Sequence, residues 1–272
     1  MSAQLYLTER HQAIAAATRA FADKEIRPIA ARLDESEEFP AALYKQMCGL
    51  GMMGITIPEA LGGAGADALS YAVVMEELSR GYASVADQCG LIELVGTLLA
   101  QPGTKEQQDE YLRPLLKGER ACAYAITEAE AGSDVSGIKT TATPLPGGGW
   151  RLDGGKLWIH NAPVADFATV LARTDKDAGH RGMSIFLVDR DRAGYAVGRK
   201  EHKMGQRASP VGALHFDGVK LGANALLGQA GRGFHMMMSV LDKGRIGIAA
   251  LAVCILQAAL EASIAYARER KQ

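Results

Sequence analysis

Followed by the period of its apolar positions, the chain divides into three stretches. Between Thr8 and about Asp34 an alanine-rich segment places Ile14, Ala17, Phe21 and Ile26 near helical spacing, with Thr8 positioned to cap the first turn. FPAALYKQMCGLGMMGITIPEALGGAGAD reads as a short helix and a turn-rich loop. Asp67 then caps a helix through ALSYAVVMEELSRGY, with Tyr71, Val74, Leu78 and Tyr82 on one face. In GTKEQQDEYL, Thr104 and Gln107 have the spacing of a capping box, in which two side chains satisfy amides left free at a helix start. Residues 1–119 are therefore expected to form an all-helical domain.

From Arg120 the period shortens. ACAYAIT, WRLDGGKLWI, FATVLART, GMSIFLVDR, YAVGRK and ALHFDGVKL are short, rich in β-branched and aromatic residues, and divided by Gly, Pro, Asp and Asn clusters. LDGGK predicts a hairpin turn, because glycine accepts positive φ at little cost. Strands at this spacing predict a β-barrel or sandwich over residues 120–227. After LLGQAGRGF the helical period returns, from about Phe234 to the final YARERKQ, with Leu241, Ile248, Leu251 and Ile255 along an extended apolar stripe. No Gly, Asn or Pro closes that helix, and one helix on a β domain leaves apolar surface uncovered. Residues 228–272 are thus expected to be the first long helix of an incomplete C-terminal helical bundle. The class is multidomain α+β.

Composition narrows the function. The 272 residues carry 30 basic and 31 acidic side chains, so there is no excess of positive charge to neutralise a phosphate backbone, which argues against nucleic acid as a partner. The N-terminus has early acids and no apolar core of a signal peptide. No later stretch runs eighteen apolar residues free of charged or strongly polar groups, so a soluble cytoplasmic protein without a membrane partner is expected. Cys48, Cys89, Cys122 and Cys254 are widely spaced with no C-x-x-C, which fits reduced thiols and gives zinc no support.

Two glycine patterns mislead. GAGADA from Gly63 satisfies G-x-G-x-x-A, with Asp87 about twenty residues on, but a proline and a loop precede it where a dinucleotide site needs a strand, and no βαβ units follow. GQAGRGF lacks the Lys-Ser/Thr of a phosphate loop and reads as the turn into the long helix. A third pattern is more informative. AYAITEAEAGSD leaves the first strand of the β block at a domain junction, where ligand clefts tend to form. Amides around Ala131, Gly132 and Ser133 could hold an anion, and small side chains would let a flat ring approach. Taken alone, the same stretch reads better as a loop that Thr127, Glu128, Ser133 and Asp134 merely solvate.

YAITEAEAGSD resembles the flavin-contacting signature of the acyl-CoA dehydrogenase family, and KLWIHNAPVADFATVLART is similar to that family's second signature. IPEALGGAGAD, HKMGQRAS, LLGQAGRGF and LDKGRIGIAALAV with YARERKQ resemble further family segments in the same order, so the resemblance spans nearly the whole chain. It implies FAD held between the β domain and the helices. Tyr124, Ile126 and Thr127 would line the flavin, with Gly132 and Ser133 near its pyrophosphate and Ser133 also near the thioester. Trp158 and Ile159 would lie along the ring. Arg270 and Gln272 would reach the FAD of a neighbouring subunit, and Asp242 and Arg245 would share a helix face toward the CoA substrate. An intrahelical ion pair is the plain alternative for Asp242 and Arg245, and a solvated helix end for Arg270.

The resemblance also implies chemistry: α,β-dehydrogenation of an acyl-CoA thioester to a trans-2-enoyl-CoA in a homo-oligomer that passes electrons to an electron-transfer flavoprotein. His160 departs from the pattern, since the family usually places Thr or Ser there to hydrogen-bond flavin N5. Imidazole can also donate but is larger and titrates near neutrality. His160 is expected beside the flavin, the alternative being a ring turned away. The catalytic base is a second departure. The family's glutamate belongs to the C-terminal helices or, in some members, directly precedes the long-helix arginine, where this chain has Gly244. Glu93, an acid amid apolar residues, is a weaker candidate, and the chain is expected to be inactive by itself. A non-catalytic FAD- or CoA-binding subunit and a flavin monooxygenase or oxidase of the same fold are the competing readings.

Overall fold

A computed structural model describes residues 6–272. Its first layer is helical. Thr8 caps α1 (Glu9–Phe21) and forms a capping box with His11; a π turn (Ala22–Ile26) and a short 3-10 segment lead to α2 (Ala30–Ser36), and α3 (Ala41–Gly49) follows. Asp67 caps α4 (Ala68–Gly81), and α5 (Ala83–Ala100) runs through the middle of the helical core. The expected capping box at Thr104 and Gln107 opens α6 (Lys105–Gln107), which continues through a π turn into α7 (Arg113–Leu116).

Asp67 illustrates how local chemistry fixes this layer. Its carboxylate accepts from Ser70 N at 2.8 Å and faces His11 Nε2 at 3.1 Å, joining α4 to α1. Those bonds hold its pKa down at about 2, below the ordinary 3.8, with the Ser70 amide as the main cause. A depressed carboxylate contributes stability that is present above pH 3.8 and lost as pH falls through about 2. Asp67→Ala is expected to cost about 1 kcal/mol at neutral pH, read as a lower urea midpoint, and to flatten the acid limb between those values; an unchanged midpoint contradicts the cap.

The second layer is a single sheet of eight strands in the order β6-β7-β3-β2-β4-β5-β8, with β1 parallel to β4. The strands are β1 (Cys122–Ala125), β2 (Thr141–Pro144), β3 (Trp150–His160), β4 (Phe167–Arg173), β5 (Met183–Asp189), β6 (Tyr195–Lys200), β7 (Val211–Leu221) and β8 (Leu226–Leu227). LDGGK is not a hairpin turn. It lies inside β3, where the register against β7 shifts between Leu152 and Gly154. Gly154 has φ 140°, and a Cβ there would lie 2.7 Å from Thr140 Oγ1, so glycine serves a bulge and a close approach. The β2–β3 turn falls instead at Leu145–Gly149, whose three consecutive glycines all have positive φ.

The 37-residue α8 (Gly233–Glu269) closes the fold over α4 and α5. The expected stripe is only partly its inner face, since Leu251 is buried, Leu241 half-buried, and Ile248 and Ile255 exposed. Small residues make the seam instead: a Cβ on Gly247 would sit 2.1 Å from Tyr71 Oη, and one on Gly244 would sit 2.9 Å from Leu94 Cδ2. Arg80 pairs with Glu261 and fastens the far half of α8 to α4. Val253, Leu256 and Leu260 face outward. By length and composition alone α5 and α8 are both apolar enough to cross a bilayer; α5 is nevertheless mostly enclosed by protein.

Candidate functional site

The site is built where β1 ends. Ile126 and Thr127 leave the strand, and Glu128 and Ala131 then exchange backbone hydrogen bonds at 3.0 and 3.2 Å, folding residues 128–131 into a tight turn. Thr127 O accepts from Leu157 N at 2.9 Å, which ties this turn to β3 immediately before Trp158. Between Lys156 and Ile159 the β3–β7 register slips, and Trp158 takes φ 57°, a left-handed conformation that costs a bulky residue energy. Its indole stays 63 % exposed. An observed strain combined with a bare aromatic surface marks this position as one shaped for something other than packing.

Both segments face one cleft of about 740 Å³. Tyr124, Ile126, Thr127 and Gly132 line it from the first segment, and Trp158, Ile159 and His160 from the second. Tyr71 of α4, Leu91 and Leu94 of α5, and Leu241, Gly244 and Ile248 of α8 supply an apolar end, with Arg245 and Asp87 as its charged members. Burial pushes the Tyr124 phenol far above its usual pKa, and its Oη donates to Met237 O at 3.1 Å, joining the β wall to α8. A Cβ on Gly132 would meet nothing nearer than the Thr127 methyl at 3.8 Å, so the turn leaves room beside it for a flat group. A second groove of about 810 Å³ lies around Arg120, Asp189 and Arg190, where Arg120 and Arg192 both pair with Asp189, at 2.7 and 3.2 Å.

His160 is held by the protein on both sides. Nδ1 lies 3.4 Å from Asp87 Oδ2, while Nε2 lies 2.7 Å from Ser209 Oγ and 2.9 Å from Gln88 Nε2. Gln88 and Asn161 exchange two side-chain hydrogen bonds at 2.8 and 3.0 Å, which fixes the amide that meets the imidazole. Burial drives the His160 pKa below its usual value, helped by Lys203 and opposed by Asp87. Burial thus favours the neutral ring, and its Nε2 is already taken up by Ser209 and Gln88. In an NMR titration His160 should titrate below about 6.5, lower still in Asp87→Asn and higher in Lys203→Met; a value above 6.5 in the parent protein contradicts this account of the cluster.

Other expected site residues lie elsewhere. Ser133 is exposed beyond Gly132 and outside the cleft wall. Asp242 is exposed and paired with Arg245, whose own side chain borders the cleft. Arg270 and Gln272 follow the end of α8 in solvent, with Arg270 near Tyr266 Oη at 3.4 Å. Glu93 is not a base facing the cleft: it is 1 % exposed and lies 2.9 Å from Lys243 Nζ, with Thr56 N donating to it at 3.2 Å. Sequence reading missed the contributions of α4 and α5 to the cleft. Asp87 carried one detectable signal, an acid within a mostly apolar helix.

The comparisons agree with this arrangement. Residues 8–119, 123–219 and 231–272 match family models for the acyl-CoA dehydrogenase N-terminal, middle and C-terminal domains. A short-chain-specific acyl-CoA dehydrogenase of Clostridium acetobutylicum is 40 % identical over 98 % of this chain and 70 % of its own length. CarC, a subunit of the caffeyl-CoA reductase-Etf complex of Acetobacterium woodii, is 40 % identical over 98 % of this chain and 71 % of its own. Among solved structures, a glutaryl-CoA dehydrogenase from Mycobacterium smegmatis in complex with FADH2 superposes with a TM-score of 0.93 at 32 % identity, covering all of this chain and 68 % of that one. The chain spans 64 to 71 % of the length of the curated relatives it matches.

Proposed function

The chain belongs to the acyl-CoA dehydrogenase family, and from that premise we propose that it forms the FAD- and thioester-binding part of an enzyme that dehydrogenates an acyl-CoA between its α and β carbons to a trans-2-enoyl-CoA. One observation carries this reading: the Tyr124–Gly132 segment and the Trp158 strand, far apart in sequence, are two walls of one cleft. The residues fit FAD. Trp158 offers a bare aromatic face on a strained backbone, and Gly132 leaves open space beside Thr127. Tyr124, Ile126, Thr127, Trp158, Ile159 and His160 would hold the ring, Gly132 and Ser133 the pyrophosphate, and Arg270 and Gln272 the cofactor of a second copy.

FAD, when bound, supplies the acceptor for the hydride leaving the β carbon. The chain's own residues then have three tasks. Leu91, Leu94, Leu241 and Ile248 exclude water from the acyl end, which strengthens every polar interaction there. Ser133 and Arg245, with Asp242 beside it, orient the CoA arm. The α proton needs a carboxylate with a raised pKa, and the carboxylates near this cleft are engaged: Asp87 accepts from Ser209 Oγ at 3.1 Å and faces His160, while Glu93 is buried against Lys243. That engagement supports a chain that binds both ligands without turning them over alone, receiving its base from outside the described residues.

Electron-transfer flavoprotein is the proposed acceptor, supported by CarC being part of an Etf complex. A homo-oligomer is part of the same proposal, and a cytoplasmic setting is supported by four buried free cysteines. The test is an anaerobic titration of the FAD-loaded protein with butyryl-CoA, followed in the flavin absorption band. The expected response is a saturable band shift without bleaching. Absence of any shift removes the thioester reading, and bleaching would show that the base resides in this chain.

A further inference from the structure

Lys156 is the feature of the β domain that the preceding reading leaves unused. Its side chain has no solvent exposure, although lysine is among the residues least often buried. Nζ donates to Ile126 O at 2.8 Å and to Glu128 Oε1 at 2.8 Å. Glu128 in turn accepts from Thr140 N at 3.0 Å and Lys139 N at 2.6 Å. The ammonium thus joins β3 to the two residues flanking Thr127, and the carboxylate joins the same turn to the chain entering β2.

The position of this link in β3 gives it a consequence. Lys156 pairs with Leu214 of β7, and the next aligned pair is Ile159 with Gly212, so Leu157 and Trp158 lie in the slipped part of the register. Trp158 is therefore placed by what anchors its flanks. On the N-terminal side those anchors are the Leu157 N to Thr127 O bond and the Lys156 side chain, and both reach the same turn. Resting on the flavin reading above, we propose that Lys156 is a positioning residue that sets the separation between the Ile126–Gly132 wall and Trp158, and with it the width of the slot for a planar ring. It touches neither wall's ligand-facing surface and acts through Ile126 and Glu128.

Energetics agree with a positional role. Burial lowers the Lys156 pKa to about 8 despite Glu128, so the charge is retained at a cost that a methionine of similar length would avoid. Glu128 is held below its usual range by Lys156 and the two backbone amides, against its own desolvation. An apolar side chain could fill the same space, but it could not hold a carbonyl and a carboxylate at fixed distance.

The experiment compares the full chain carrying Lys156→Met with its parent, both in a Trp150→Phe background so that fluorescence reports Trp158 alone. FAD affinity, urea stability of the FAD-free protein, and acrylamide quenching of Trp158 without FAD are measured. We expect FAD affinity to fall about tenfold and quenching of Trp158 to change in the FAD-free protein. A loss of apo stability with unchanged affinity and unchanged quenching would make Lys156 merely structural and overturn the proposal, as would no change in any readout. Should the parent not bind FAD, the flavin reading fails and the quenching comparison decides this inference by itself: altered quenching supports it and equal quenching overturns it. If Lys156→Met does not fold, Glu128→Gln reads the same link, with weakened FAD binding or altered quenching supporting the proposal and parental values for both overturning it.

Discussion

Replacing Lys243 by methionine is expected to lower the unfolding free energy by about 3 kcal/mol, because it leaves the Glu93 carboxylate buried without its cation. Glu93 is 1 % exposed and sits on α5; Lys243 reaches it from α8 with its Nζ 2.9 Å away and also contacts the Thr56 hydroxyl. Breaking a buried pair by removing one partner costs about 3–5 kcal/mol, and the lower end applies because Lys243 retains some solvent contact. The Glu93→Met, Lys243→Met double variant should recover most of the loss, since no charge is then left without a partner. Urea unfolding of the two variants beside the parent measures this directly. A single variant within about 0.5 kcal/mol of the parent would mean that Thr56 and water satisfy Glu93 unaided.

Trp158→Ala separates stability from ligand binding. An indole 63 % exposed contributes little to packing, so the fold should hold, while FAD affinity should fall by about tenfold to a hundredfold, the usual cost of removing one aromatic stacking partner from a planar base. Trp158→Gly sharpens the contrast. With φ at 57°, glycine relieves a left-handed strain of about 1 kcal/mol, so this variant should unfold at higher urea than the alanine variant yet bind FAD no better. Equal FAD affinity in parent and alanine variants would remove Trp158 from the site.

Much of the fold was legible because its signals are local. Thr8, Asp67 and Thr104 with Gln107 each satisfy amides within three residues of themselves, so spacing alone identifies them. Strands such as Phe167–Arg173 and Met183–Asp189 announce themselves by unbroken apolar runs. What was misread depends on distant partners. LDGGK has turn chemistry, but its glycines answer to Thr140 and β7; Thr141–Pro144 is a strand only because Trp150–Asp153 pairs with it. On α8 a stripe of large residues suggested the inner face, whereas the seam follows Gly244 and Gly247 because α4 and α5 press closest there.

The candidate site divides along the same line. Tyr124–Gly132 and Trp158–His160 are contiguous and could be found as segments. Their shared cleft, and the helices that finish it, exist only in three dimensions. His160 shows the limit most clearly: its neighbours Asp87, Gln88 and Ser209 come from α5 and from the loop before β7, so the sequence shows an imidazole but not that Nε2 is engaged and that Nδ1 faces a carboxylate. Glu93 is similar, because an acid in an apolar helix suggests a base until its lysine, 150 positions away, is found.

The claim beneath all of this is that one slot, walled by the Tyr124 turn and by Trp158, accepts an isoalloxazine. A titration of the Trp150→Phe protein with FAD, following Trp158 fluorescence and flavin absorbance together, tests it most directly. The account predicts saturable quenching of Trp158 in step with the appearance of bound flavin, at one FAD per chain. Flavin that binds while Trp158 emission stays constant, or no binding at all, contradicts it.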